Sequence, residues 1–156
     1  MAKAAHPTSG APLSARELAA WRGMLRVHAQ VTRALDVQMR EEHDLTVSAY
    51  EVLLFLGDAP GRRLRMAEIA ERVLLSRSGL TRLCDKLVDH GYVTRSAAEG
   101  DGRGLYAELT DAGAAKLAAA QATHRAGVRD FFLGQITEAD QDALGDIWDR
   151  FLAARA

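Results

Sequence analysis

Between Ser76 and Lys86 the chain places Arg77, Ser78, Thr81, Arg82, Asp85 and Lys86 on one side of a helix. The other side carries Leu80, Leu83, Leu87 and Val88. Small hydroxyls and guanidiniums near a helix N-terminus have a definite chemistry. The backbone N–H groups and a serine hydroxyl can take a phosphate, while an arginine can fork onto guanine. A second candidate is Gly100-Asp101-Gly102-Arg103-Gly104, which would hold one cation on a narrow hairpin tip. An arginine on such a tip fits a minor groove, where narrow A·T stretches concentrate negative potential. Asp101 could pair with Arg103 and orient its guanidinium. Taken singly, a polar helix face is as well explained by solvation, and an Asp-Gly turn by an ordinary hairpin.

These groups need elements to position them. Ser14-Ala15-Arg16-Glu17 is a capping box that opens a long helix reaching about Glu42. Leu18, Trp21, Leu25, His28, Thr32, Leu35 and Met39 recur along it at helical spacing. His43-Asp44-Leu45 breaks the pattern, Thr46 caps a second helix, and Gly57-Asp58-Ala59-Pro60-Gly61 ends it. A short third helix over about Met66–Val73 leads through Leu74-Leu75 to the fourth, which starts at Ser76 and stops at Gly91. Tyr92–Arg95 and Leu105–Leu109 read as two strands around a loop, Glu99–Gly104. Thr110 caps an Ala-rich fifth helix to about Leu133. Thr137 starts a sixth, on which Leu144, Ile147, Trp148, Phe151 and Leu152 form an apolar stripe.

The bulk properties narrow the classes. At 156 residues there is room for one domain with a good core. The single cysteine, Cys84, excludes an internal disulfide framework and fits a reducing, cytoplasmic setting. No apolar run is long enough to span a membrane, and Met1–Pro12 lacks the apolar core of a signal peptide, so residues 1–13 read as a flexible tail. The net charge is −1, but Gly61–Arg103 holds nine Lys or Arg against six Asp or Glu. That basic middle within an acidic frame suits a face turned toward phosphates.

In combination the residues resemble the MarR-type family of multiple antibiotic resistance regulators. Three features carry the resemblance. Asp101-x-Arg103, then five residues and Leu109-Thr110-Asp111-Ala112-Gly113, is similar to the family's wing and the cap of the helix after it. Leu74-Leu75-Ser76-Arg77-Ser78-Gly79-Leu80-Thr81-Arg82-Leu83 resembles its recognition helix. The element order is similar over about 14–152. The fold class implied is mainly α with a small β-hairpin wing: a winged helix-turn-helix over 46–110, with dimerisation helices at 14–44 and 111–156. It further implies a ligand-responsive repressor acting as a homodimer on a pseudo-palindromic operator in double-stranded DNA. Ser76, Arg77, Ser78, Thr81, Arg82 and Lys86 would face the DNA, and Arg103, beside Asp101, would enter the minor groove. Arg65 departs from the Ser or Thr that often caps the third helix. Asp85 and Asp89 limit the approach to the front half of the recognition helix.

Independently of the resemblance, Trp148 and Phe151 on the sixth helix are large residues whose burial against a partner copy would drive dimerisation. Trp21 and His28, seven residues apart on the first helix, with Tyr50 on the second, could hold a small aromatic or phenolic effector. More often, aromatic residues at helical spacing are simply core. Cys84, in line with Leu80 and Leu87, reads as buried packing rather than a sensor. His6, His28, His43, His90 and His124 lack metal-ligand spacing, and neither a metal nor a cofactor is expected. Two alternatives stand beside a regulator: a winged-helix module for protein contact without DNA binding, and a small helical enzyme. The enzyme has against it the lack of a nucleophile–base pair or phosphate loop.

Overall fold

Helix starts fall where the sequence supplies an acceptor for the free N–H groups of a first turn. At α1 (Ala15–His43) Ser14 Oγ accepts the Glu17 N–H at 3.3 Å, and the Glu17 carboxylate accepts the Ser14 N–H at 2.8 Å. Thr46 caps α2 (Val47–Asp58), Ser76 caps α4 (Arg77–Asp89) and Thr110 caps α5 (Asp111–Phe131). Thr137 and Asp140 form a reciprocal box at α6 (Glu138–Ala153). The exception is α3 (Met66–Arg72), preceded by Arg65. A guanidinium has no acceptor to offer, and the start is held instead by Glu68, whose Oε2 accepts the Arg65 N–H at 3.0 Å. The computed structural model describes residues 10–97 and 105–154. Asp101, Arg103, the rest of the loop and most of the expected tail over 1–13 lie outside the described residues.

The described sheet has three strands where the sequence reading expected two. β1 (Arg63–Arg65) adds to β3 (Leu105–Leu109), which pairs on its other side with β2 (Val93–Ala97), all antiparallel. Three residues are too few to show an alternation in sequence. In the fold Leu64 drops into the core opposite Ala107, and Arg63 and Arg65 stay outside. Register assigns Val93, Arg95, Ala107 and Leu109 to the inner face, and Thr94, Ser96, Tyr106 and Glu108 to the outer one.

The core lies between that inner face and α2, α3 and α4. Val52, Leu53, Leu56, Ile69, Leu80, Cys84 and Val93 are fully enclosed there, with Met39 from the end of α1. Val88, expected on the inner side of α4, is 37% exposed, because the next residue after buried Leu87 is turned about 100° off the Leu80–Cys84–Leu87 stripe. Two glycines allow close approaches. Gly113 presses on the Tyr92 carbonyl at the start of α5, and Gly127 lets α5 lie against Leu35 and Gln38 of α1.

Outside the core, apolar surface is concentrated on two elements. Trp21, Met24, Leu25 and Val27 are exposed on the N-terminal half of α1, and Ile147, Trp148, Phe151 and Leu152 on α6. No described residue of α6 is buried, and α6 makes no extensive contact with another element of the chain.

Candidate nucleic-acid interface

The start of α4 is built from short-range bonds. Ser76 Oγ accepts the Gly79 N–H at 3.1 Å and lies 3.3 Å from Ser78 Oγ. Thr81 Oγ1 donates back to the Arg77 carbonyl at 2.9 Å, which commits its hydrogen within the helix and leaves the oxygen able to accept. Leu80, Cys84 and Leu87 are buried, so Arg77, Ser78, Thr81, Arg82 and Asp85 form the exposed side. Lys86 is also exposed, but it sits on the flank toward α1, where it lines a cleft of about 360 Å³ with Arg40, Asp44, His90 and Tyr92.

Arg95 supports this face, a link that the sequence reading missed. Its Nη1 donates to Asp85 Oδ1 at 2.7 Å and its Nη2 to the Thr81 carbonyl at 2.9 Å, tying β2 to α4. Asp85 is therefore paired within the protein rather than presented as a bare negative charge to a polyanion. The signal was available in strand parity: a residue two beyond Val93 must point inward with it. Burial pushes the Cys84 thiol up, against the pull of the nearby Arg95, as expected for an unreactive cysteine.

Trp21, His28 and Tyr50 are not gathered into one pocket. Tyr50 is 3% exposed and its ring stacks on His124 of α5, with centroids 4.4 Å apart. Trp21 lies eighteen residues up α1 from buried Met39, about 27 Å along a helix axis, and is 53% exposed. His28 is exposed and faces Glu51, whose carboxyl is pushed up by burial and pulled down by that histidine. Among the described residues no group of three or more His, Cys, Asp or Glu could hold a metal ion. None of the described helices is long and apolar enough to cross a membrane.

Known proteins share this arrangement. The sequence profile of the MarR family matches residues 43–104, which run from the end of α1 to the segment before β3. A MarR family transcriptional regulator from Streptomyces coelicolor, solved in complex with DNA, superposes with a TM-score of 0.86. It is 31% identical, over 94% of this chain and 91% of that one. The chain belongs to the MarR family. A second member, AbsC from Streptomyces coelicolor, is 28% identical with a TM-score of 0.82, covering 92% of this chain and 97% of its own. The HTH-type transcriptional regulator SarZ of Staphylococcus aureus is 37% identical over 75 residues, 48% of this chain and 49% of that protein. This MarR-family chain thus spans about half the length of the curated relatives it matches. The winged helix-turn-helix is α3, α4 and the three-stranded sheet.

Proposed function

We propose that this protein is a sequence-specific transcriptional regulator that binds double-stranded DNA as a homodimer. The observation that carries this reading is the exposed face of α4, where Arg77, Ser78, Thr81 and Arg82 stand around a capped N-terminus above a buried Leu80–Cys84–Leu87 stripe. The likeness to a regulator solved on DNA supports it. Arg77 and Arg82 reach base edges in the major groove, Ser76 and Ser78 hold phosphates, and the loop that carries Asp101 and Arg103 is assigned the minor groove from its sequence.

The exposed apolar residues of α1 and α6 support the dimer, with 14–44 and 111–156 as its dimerisation helices and 46–110 as the reading region. Trp148 and Phe151 are 42% and 55% exposed in the single chain, and a second copy covers them. A two-fold dimer reads a pseudo-palindrome whose half-sites lie one helical turn apart. Selection of bound duplexes from a random pool tests this. The expected result is enrichment of such a palindrome at two chains per duplex. Failure to bind any duplex would favour a protein-contact module instead, and turnover of a substrate by such a chain would revive an enzyme.

Occupying promoter DNA in the cytoplasm makes repression the expected output. The cleft between α1, α2 and α4 supports a ligand response, because Arg40, Lys86 and His90 offer positive or donor groups beside the Tyr92 ring. A small aromatic or phenolic anion held there acts on α4 only through its different affinity for the DNA-fitting and misfitting dimers. Titration of salicylate against the protein–operator complex tests it, with release of DNA expected and indifference overturning this choice of ligand.

A further inference from the structure

The turn between α3 and α4 carries an apolar side chain where a glycine would be expected. α3 ends at its C-cap, Val73, and Leu74 follows at φ 53°, in the left-handed region. The Leu75 N–H then closes back on the Ala70 carbonyl at 3.2 Å. That bond, from two residues past the cap to three before it, marks the helix stop whose left-handed residue is usually glycine. A leucine there is strained, because its Cβ crowds the carbonyl oxygen that follows. The other described non-glycine residues at positive φ are Asp44 and Arg62, both polar. Leu74 is also 89% exposed, the highest value for a large apolar side chain among the described residues. Its neighbour Leu75 packs against the core instead. A lone exposed leucine needs no explanation, but one that is also strained gives its own chain neither burial nor an easy backbone.

We propose that Leu74 is a specificity-determining residue, which packs on the C5-methyl group of a thymine in the major groove. The inference rests on the DNA-binding reading above and deepens it, adding an apolar contact to the polar ones of α4. Leu74 stands two residues before Ser76, whose Oγ caps α4, and three before Arg77. Two residues of chain span at most about 7 Å, roughly two base-pair rises, so Leu74 lies within reach of the bases that the front of α4 would meet. Base edges in the major groove present hydrogen-bonding groups apart from the thymine methyl, which makes that methyl the natural partner for an alkyl side chain. Contact between the two removes apolar surface of both from water, which the free protein leaves exposed. The left-handed turn is what keeps the leucine at the front of the helix while Leu75 enters the core.

The test combines Leu74→Gly with a selected duplex in which each thymine of a half-site is replaced in turn by deoxyuridine, which lacks only the methyl. Glycine suits the left-handed backbone, so the variant should melt no lower than wild type. Wild type should lose about three- to fivefold in affinity at one such thymine, the factor that burial of one methyl supplies. Leu74→Gly should lose a similar factor on the thymine duplex and nothing more on the deoxyuridine one, whereas Leu74→Met should keep the preference for the methyl. Indifference of wild type to every replacement would overturn the contact, and so would a methyl preference that survives in Leu74→Gly, since it would then belong to another residue. Equal losses by Leu74→Gly on selected and scrambled duplexes would overturn it too, by assigning the leucine to the sugar–phosphate backbone. All three outcomes leave the regulator reading intact. Absence of duplex binding by wild type would instead remove the reading on which the contact rests.

Discussion

Arg95 of β2 and Asp85 of α4 join the sheet to the helix. The 2.7 Å ion pair, with the second bond from Arg95 to the Thr81 carbonyl, ties strand β2 to helix α4 at two points. Two contacts from one planar guanidinium fix an angle as well as a distance. Under the proposed DNA-binding function, these two bonds would set the angle at which helix and hairpin meet successive grooves.

Arg95→Met keeps the aliphatic stem and removes both bonds. Because Asp85 is half exposed, the loss of stability should be modest, about 1 kcal/mol. Discrimination between selected and scrambled duplexes should fall more than stability does. Competition binding alongside thermal melting checks the contrast, and equal discrimination in wild type and variant would deny Arg95 a positioning role.

Arg77→Ala and Arg82→Ala should each cost about 1–3 kcal/mol on the selected duplex and relax preference at one base position. Repeating the selection with each variant locates that position. A uniform loss over all sequences would reassign the residue to the phosphate backbone.

Gly113→Ala tests the junction between the wing and α5. The new Cβ would overlap the Tyr92 carbonyl oxygen and come 2.7 Å from Leu109 Cδ1, and neither the backbone nor the buried leucine yields easily. The expected destabilisation is about 1–3 kcal/mol by chemical denaturation. Gly23→Ala, with nothing within 4 Å, is the matched control and should not destabilise the fold.

Trp148→Ser together with Ile147→Ser should shift the protein from dimer to monomer in sedimentation velocity, without unfolding the winged region. Neither residue contributes to the buried core of its own chain. A variant that still sediments as a dimer would place the interface elsewhere.

Burial holds the His124 imidazole below its ordinary value, where it stacks on Tyr50. Below about pH 6.5 the unfolded chain then binds a proton that the folded chain resists. This contribution to stability is present above that pH and is lost as pH falls through the lower folded value. Melting temperature measured from pH 8 to 5 should drop on the acid side more steeply for wild type than for His124→Phe, which keeps the ring stack. Parallel profiles would show that the acid loss arises from other groups.

The sequence alone determined what is local. Ser14, Thr46, Ser76, Thr110 and Thr137 each provide a hydroxyl acceptor within three residues of the N–H that it caps, so helix starts could be read directly. The stripe of Leu80, Cys84 and Leu87 likewise fixed which side of α4 would be exposed, because a helix has one period. Tertiary structure decided what depends on chain segments meeting from a distance. β1 exists because β3 offers it an edge, and Arg95 matters because its strand passes beside Asp85. Tyr50 stacks on His124, seventy-four residues on, rather than beside Trp21. A residue's period names the face it occupies, but only the packing of elements decides what stands opposite that face.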